Sequence, residues 1–251
     1  MKLVISETKE QLGAASAIHA AEVINAAIAK KGSARILLST GASQFPFFVE
    51  FVKQDIDWSK VEMFHLDEYV GISEEHPASF KRYLIDRFAS LVPLKKANLI
   101  NGSGDPDTTI AEITALLREE PIDVGLIGIG ENAHIAFNDP PADFDDERAY
   151  KVVTLDERCL LQQVGEGWFK SVDETYKQAI SMTCKEIMKC ATIISVVPYK
   201  VKAEAVYNTL TSELSPMVPA TLLKTHPDFT LYVDADSASL LTDEIKAAYL
   251  D

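Results

Sequence analysis

Val124-Gly-Leu-Ile-Gly-Ile-Gly130, followed by Glu131-Asn-Ala-His-Ile-Ala-Phe-Asn-Asp-Pro-Pro141, is the stretch on which the fold turns. Its first half is short, apolar and bounded by glycines, which reads as a strand buried on both faces of a sheet. Gly130 lets that strand open sharply into a loop. The loop then gathers a histidine, two acids, two amides and a double proline within twelve residues. Open α/β sheets carry their chemistry just beyond the carboxyl ends of their strands, so this loop is the first candidate site.

Similar strand-like runs recur on either side: Arg35–Ser39, Val61–Leu66, Ile193–Val197 and Thr230–Val233, with weaker ones at Lys151–Leu155 and Ala179–Met182. Helical patterns lie between them at Lys9–Lys31, Pro46–Lys53, Pro77–Phe88, Thr108–Arg118, Cys184–Lys189 and Val201–Leu210. Pro77 suits the first turn of its helix, where a missing donor costs nothing. Strands alternating with helices predict a mainly parallel sheet covered on both faces. No repeat or linker interrupts the pattern. The expectation is a single three-layer αβα, Rossmann-like domain over residues 1–251.

The bulk composition excludes some functions. A net charge of −14 leaves no basic excess to neutralise phosphates, so neither nucleic acid nor an anionic membrane is an expected partner. A phosphorylated small molecule stays possible, because one or two local cations and backbone amides can hold a phosphate. Cys159, Cys184 and Cys190 form no C-x-x-C pair, and no two of the five histidines make an H-x-x-x-H arrangement. Neither a metal nor another cofactor is therefore expected, and the thiols read as reduced. No apolar run approaches the ~20 residues of a membrane span. The opening MKLVISETKEQ lacks the apolar core of a secretory leader, so the chain reads as cytoplasmic.

Three further constellations could carry chemistry. Ser39-Thr40-Gly41-Ala42-Ser43 leaves a strand for a helix through small and hydroxyl residues, a junction that suits a phosphate group but also serves simply to turn and cap the chain. Lys202, in Pro198-Tyr-Lys-Val-Lys202, stands near a helix start, where a cation is unfavourable unless an anion joins it. His65-Leu-Asp-Glu-Tyr69 ends another strand. Alternation would put His65 and Asp67 on one face and Glu68 on the other, offering a base and a partner for a hydroxyl, or a turn-capping acid.

Taken together, these residues resemble the glucosamine-6-phosphate deaminase (isomerase) family, a relative of the 6-phosphogluconolactonases. The resemblance rests on Thr40-Gly-Ala-Ser43, Leu66-Asp-Glu-Tyr-Val-Gly71 with His76-Pro-Ala-Ser79, His134-Ile-Ala-Phe-Asn138, Lys202-Ala203 and Leu223–Pro227. They occur in order, from about residue 33 to about residue 235. The resemblance implies a fold shared with ribose-phosphate isomerase and coenzyme A transferase relatives. It also implies conversion of glucosamine 6-phosphate to fructose 6-phosphate and ammonia without metal or organic cofactor. Asp67 matches the family's base, which moves a proton between C2 and C1 of the open-chain sugar. His134 matches the histidine that assists ring opening, and Asp139 matches a glutamate that works with it. The Thr40–Ser43 loop and Lys202 match the phosphate site. Glu68 and Asn138 are expected to position sugar hydroxyls. The family forms monomers through hexamers, so a homo-oligomer is possible.

The chain departs from that pattern in the loop itself. Where the family has aspartate two residues before the histidine, this chain has Asn132, which can neither accept a proton like a carboxylate nor stabilise an imidazolium by charge. Glu131, next to it, is a candidate to supply the displaced carboxylate. Ala133 replaces a glycine and lacks easy access to positive φ. Arg158 is the nearest candidate for a phosphate-binding arginine, with Leu160 at the place where arginine is usual in this Gly-Glu-Asn branch. Two other readings follow from these changes: a phosphosugar lactonase-like hydrolase, or a sugar-phosphate-binding regulator that kept the pocket. His226 and His76 read as structural, His19 as a mid-helix residue on or near the surface, Trp168 as a packing anchor or cover, and Asp143–Glu147 as a solvated turn.

Overall fold

The protein is described by a computed structural model covering residues 1–165 and 167–249. In chain order the elements are β1 (Lys2–Ser6), α1 (Lys9–Lys31), β2 (Ala34–Leu38), α2 (Phe45–Phe51), β3 (Val61–His65), β4 (Asp67–Tyr69), α3 (Phe80–Leu84), β5 (Lys96–Asn98) and α4 (Pro106–Leu117). They continue with β6 (Val124–Leu126), β7 (Tyr150–Thr154), α5 (Glu157–Gly165), β8 (Gln178–Met182), α6 (Cys184–Ile187), β9 (Thr192–Val197), α7 (Ala203–Thr211), β10 (Phe229–Asp234) and α8 (Asp243–Ala247).

Seven strands form one wholly parallel sheet in the order β1-β10-β9-β6-β2-β3-β5. β6 and β2 are neighbours at the centre. From β2 the chain builds outward through β3 and β5, and from β6 it builds the other way through β9 and β10. That reversal opens a crevice at the carboxyl ends of the central strands, where ligands bind in sheets of this kind.

The strands are buried on both faces, and their alternate residues feed two separate cores. Ile36, Leu38, Val61, Met63, Ile194 and Val196 join α1 and α2 on one side. Leu37, Phe64, Ile193, Val197, Leu231 and Val233 join α4, α6 and α7 on the other. This two-sided burial is what makes the layers αβα. α1 begins at Thr8, whose hydroxyl accepts from Gln11 N, and ends at Gly32, which takes φ 83° while its N–H donates to Ile28 O. Its alanines make it the one helix among the described residues long and apolar enough to cross a membrane, contrary to the sequence expectation. Here that face, with Leu12, Ala17, Ala20, Ala21 and Ile24, is buried against the sheet and α2.

The structure adds elements that the sequence pattern did not predict: β1, β4, β5, α5 and α8. β4, β8 and β7 form a separate antiparallel sheet. Leu66 is the crossing point between the two sheets: its N–H donates to Leu38 O in the large sheet, and its carbonyl accepts from Met182 N at the end of β8. Asp67 is the first residue beyond that crossing. Pro77 precedes its helix rather than opening it; Ser79 is the N-cap, accepting from Arg82 N.

Candidate active site

Four neighbouring parallel strands, β9, β6, β2 and β3, send their carboxyl ends into one cleft. From β2 come Ser39, Thr40, Gly41 and Ser43; from β3, Leu66 and Asp67; from β6, Gly128, Ile129, Gly130 and His134; and from β9, Lys202. The candidate residues are therefore gathered by parallel topology from positions up to about 160 residues apart. Ala42 belongs to the same loop as Thr40 but is not among the lining residues.

The Thr40–Ser43 loop is held from two sides. Gly41 takes φ 104°, a conformation that favours glycine, and its carbonyl accepts from Tyr83 Oη at 2.9 Å. Gln44, buried, donates through Nε2 to Val196 O at 3.0 Å and to Ser43 Oγ at 3.1 Å. This fastens the loop to β9, the strand that leads to Lys202. Lys202 is itself buried and is the one lysine or arginine among the described residues lining the cleft. The turn before it places Tyr199 at φ 78°, with its N–H donating to the Asp234 carboxylate. Ser39 Oγ is buried and completes no hydrogen bond among the described residues.

Asp67 stands across the cleft. Burial, reinforced by the charge of adjacent Glu68, pushes its carboxyl up to about 8. It is a carboxylate poised to exchange a proton near neutral pH, in the same cleft as a lysine and a histidine. His65, two residues earlier, is fully buried and does not line the cleft; burial holds its imidazole neutral, down at about 3.

The His134 loop is built around two amides and one close approach. Asn132 accepts the His134 N–H at 3.2 Å through Oδ1 and donates from Nδ2 to Asp139 Oδ1 at 3.1 Å. That same Asp139 oxygen lies 3.1 Å from His134 Nδ1. Burial opposes the charge on Asp139, but the contacts with His134 and Asn132 outweigh it and hold the carboxyl below its ordinary range. The carboxylate that faces His134 is thus Asp139; Glu131 is half-buried and makes its contact through its backbone N–H, to Gln162 Oε1. Ala133 adopts φ 64° despite its methyl group. Its N–H bonds to Gly130 O and its carbonyl accepts from Ala220 N, contacts that hold it there against the cost of a Cβ in this region.

Three sequence expectations are corrected. Glu68 does not face the cleft: it is fully buried and accepts from Tyr69 N, Ser79 Oγ, Phe80 N and Lys81 N, capping the start of α3. Burial pushes its carboxyl up and these four donors pull it back. Because all four partners donate, Glu68→Gln puts an N–H₂ against at least one of them. The expected outcome is a loss of about 1.5–3 kcal/mol in urea unfolding, the usual worth of a hydrogen bond to a charged group, with KM for substrate unchanged. A raised KM at undiminished stability would restore the ligand-binding role. Asn138, also buried, donates to Ile135 O and Met182 O and pins the loop to β8 rather than lining the cleft. Arg158 is exposed on α5 and does not line the cleft, while Leu160 is buried in an apolar cluster.

The same helix supplies residues that sequence reasoning missed. Gln162 and Gln163 line the cleft from α5, with Gln163 Oε1 buried and completing no hydrogen bond among the described residues. Phe80 and Phe137 form an apolar wall, stacked with centroids 5.8 Å apart. The only signal for the glutamines was their place on an amphipathic turn after Cys159. The residues read as structural behave so: His226 bridges Cys190 O and Asp228 N, and His76 accepts from Ala78 N; His19, read as lying on or near the surface, is half-buried and meets Tyr232 Oη. Trp168 packs against Tyr83.

Residues 7–231 match the family described as glucosamine-6-phosphate isomerases/6-phosphogluconolactonase. A glucosamine-6-phosphate deaminase of Thermoanaerobacter pseudethanolicus is 34% identical over 252 aligned positions, covering 97% of this chain and 96% of that one. One from Streptococcus pneumoniae is 31% identical, covering 96% of this chain and all of its own. Among solved structures, a monomeric glucosamine-6-phosphate deaminase superposes with a TM-score of 0.87 at 29% identity, covering 96% of this chain and 100% of that one. A 6-phosphogluconolactonase of Thermotoga maritima, 12% identical with a TM-score of 0.77 over 93% of this chain and 99% of its own, shares the fold. With a family match across nine-tenths of its length and full-length relatives above 30% identity, this chain belongs to the glucosamine-6-phosphate isomerase/6-phosphogluconolactonase family.

Proposed function

We propose that this protein is a glucosamine-6-phosphate deaminase, with residues 1–251 acting as one catalytic domain on a sugar phosphate. The observation that carries the reading is Asp67, a buried carboxylate with raised proton affinity in the cleft shared with Lys202 and His134. In an open-chain 2-amino aldose, the C2 proton sits on the amine-bearing carbon, next to the aldehyde. A carboxylate that removes it and returns it to C1, while the aldehyde oxygen takes up a proton to become the C1 hydroxyl and the amine gives one up, converts the C2 amine into an imine. Water then adds at C2, and ammonia leaves as the ketose carbonyl forms. Such a base needs a proton affinity near the working pH, which burial gives Asp67.

His134, backed by Asp139, would move a proton between the ring oxygen and the C1 hydroxyl during ring opening. Thr40, Gly41, Ser43 and Lys202 would hold the phosphate, with Ser39 beside them. Asn132 takes a positioning role: it donates to the carboxylate that faces the imidazole. An aspartate at 132 would set two carboxylates against each other at the 3.1 Å now spanned by a hydrogen bond, where like charges cannot both ionise easily. Asn132→Asp is therefore expected to lower kcat roughly tenfold, about 1.4 kcal/mol, at little change in KM. An unchanged or higher kcat would remove that role.

The reading is tested by measuring ammonia and fructose 6-phosphate released from glucosamine 6-phosphate. Equal amounts of both products are expected. Hydrolysis of a phosphosugar lactone without ammonia would select the hydrolase reading, and ligand binding without turnover the regulatory one.

A further inference from the structure

Behind the His134 imidazole lies a group of side chains that the deamination chemistry does not use as a set. His134 Nδ1, an Asp139 carboxylate oxygen and Cys159 Sγ all lie within 4.8 Å of one another. The three are inconspicuous in sequence, at spacings of five and twenty residues, and no Cys or His pair announces them. Cys159 is carried there by the first turn of α5, where its N–H donates to Asp156 Oδ1 at 2.7 Å.

We infer that this triangle is a binding site for a borderline-soft divalent cation, with Zn²⁺ the best fit, and that its occupation inhibits the enzyme. One imidazole nitrogen, one carboxylate and one thiolate form a donor set that suits zinc and disfavours magnesium or calcium, which take oxygen ligands. Tetrahedral zinc with bonds near 2.0–2.3 Å holds its ligand atoms roughly 3.3–3.8 Å apart. His134 Nδ1 and Asp139 Oδ1 are already 3.1 Å apart. Closing the triangle around an ion needs side-chain movement on the order of 1 Å.

A second observation points the same way. Asp139 Oδ2, beside the oxygen that faces His134 Nδ1, is buried and completes no hydrogen bond among the described residues. A buried polar atom left so is costly, and a coordinated ion would satisfy it. Three protein ligands leave the fourth tetrahedral position for water, and the ion would sit behind an imidazole that lines the cleft. Binding releases the Cys159 thiol proton to solvent as the Zn–S bond forms. It also takes from the imidazole the nitrogen that faces Asp139, so the ring can no longer cycle a proton. Inhibition rests on the deaminase reading; metal binding does not.

The test titrates Co²⁺ into the chelator-treated protein. One ion per chain is expected, with a near-ultraviolet thiolate-to-cobalt charge-transfer band that Zn²⁺ abolishes by displacement. Ammonia release should fall in step with zinc occupancy. Cys159→Ala should keep its melting temperature within a few degrees and its basal turnover, lose the band, and need at least ~100-fold more zinc for half-inhibition, beyond the 10–100-fold carried by outer-shell partners. Cys159→Ser, which preserves size, should lose the band as well. Absence of a one-to-one band, or equal zinc sensitivity in Cys159→Ala, overturns the site. A band in a protein that never deaminates supports the metal site while removing the deaminase reading.

Discussion

Asp67→Asn is expected to cut ammonia release from glucosamine 6-phosphate by roughly 10²–10⁴-fold, the range that a positioned proton-transfer group contributes, while the Kd for the sugar phosphate stays near that of the parent. The amide keeps the volume and polarity of the carboxyl but cannot take a proton from carbon. The same substitution should stabilise the fold, with a definite pH dependence. Asp67 holds its proton up to about 8 in the folded chain, against 3.8 ordinarily. Between those values folding takes up a proton, so stability from this group is complete below pH 4 and falls as pH rises towards 8. The asparagine escapes that loss. The Tm advantage of Asp67→Asn over the parent should therefore widen from pH 5 to pH 8. In the parent, kcat/KM should rise with pH, reaching half its plateau near 8, once the titration of free substrate amine, measured separately, is divided out. Full turnover in Asp67→Asn would remove Asp67 as the base; a Tm difference independent of pH would mean that the carboxyl is ionised throughout.

The widening advantage describes a trade between stability and function within one residue. Burial is what destabilises the charged carboxylate, and burial is also what makes it a competent base. Glu68, next to it, shows how much local context decides. It too is buried and acidic, yet four donors from Tyr69, Ser79, Phe80 and Lys81 engage it, and it caps a helix.

That contrast also marks what was legible in the sequence. The central strands announced themselves because a strand buried on both faces must be apolar throughout, and the loops after them because glycine, hydroxyl and histidine residues cluster over a few positions. The site follows from these once the strands are parallel. Glu68 was misread because three of its four partners lie eleven to thirteen residues away and reach it only when α3 folds back. β4 was hidden because Leu66 looks like one more strand residue rather than the crossing between two sheets. β1 was hidden because its partner, β10, is at the other end of the chain. On α5 the error was one of rotation: Arg158 faces solvent, and Gln162 and Gln163 turn to the cleft. Charge suggested the first, but only the helix's phase on the core could show the second pair. Asn132, which looked like a loss, donates to Asp139 and completes a hydrogen bond that a carboxylate there could not make.

Gly130→Ala should lower kcat by about 10²-fold, the cost of displacing a catalytic group by roughly 1 Å. A Cβ at residue 130 would lie 2.3 Å from His134 Cε1 and Nε2 and 2.5 Å from Cδ2, so the ring and the methyl group cannot coexist. The backbone cannot easily retreat. Gly130 N donates to His134 O at 2.9 Å, and Gly130 O accepts from Ala133 N at 3.0 Å, closing the loop on both sides. The ring must therefore move, and any movement changes its 3.1 Å approach to Asp139. The stability cost should be about 1–3 kcal/mol, as for other overpacked sites, which leaves a folded protein whose kinetics can be read. Gly165→Ala is the control, since its added carbon meets nothing within 4 Å among the described residues. If Gly130→Ala turns over as fast as Gly165→Ala, the His134 ring is not held in its working position in the free enzyme, and its role in ring opening loses its geometric basis. If only the first variant is slow while both bind the sugar phosphate equally, glycine at 130 is there to let the imidazole lie against the main chain.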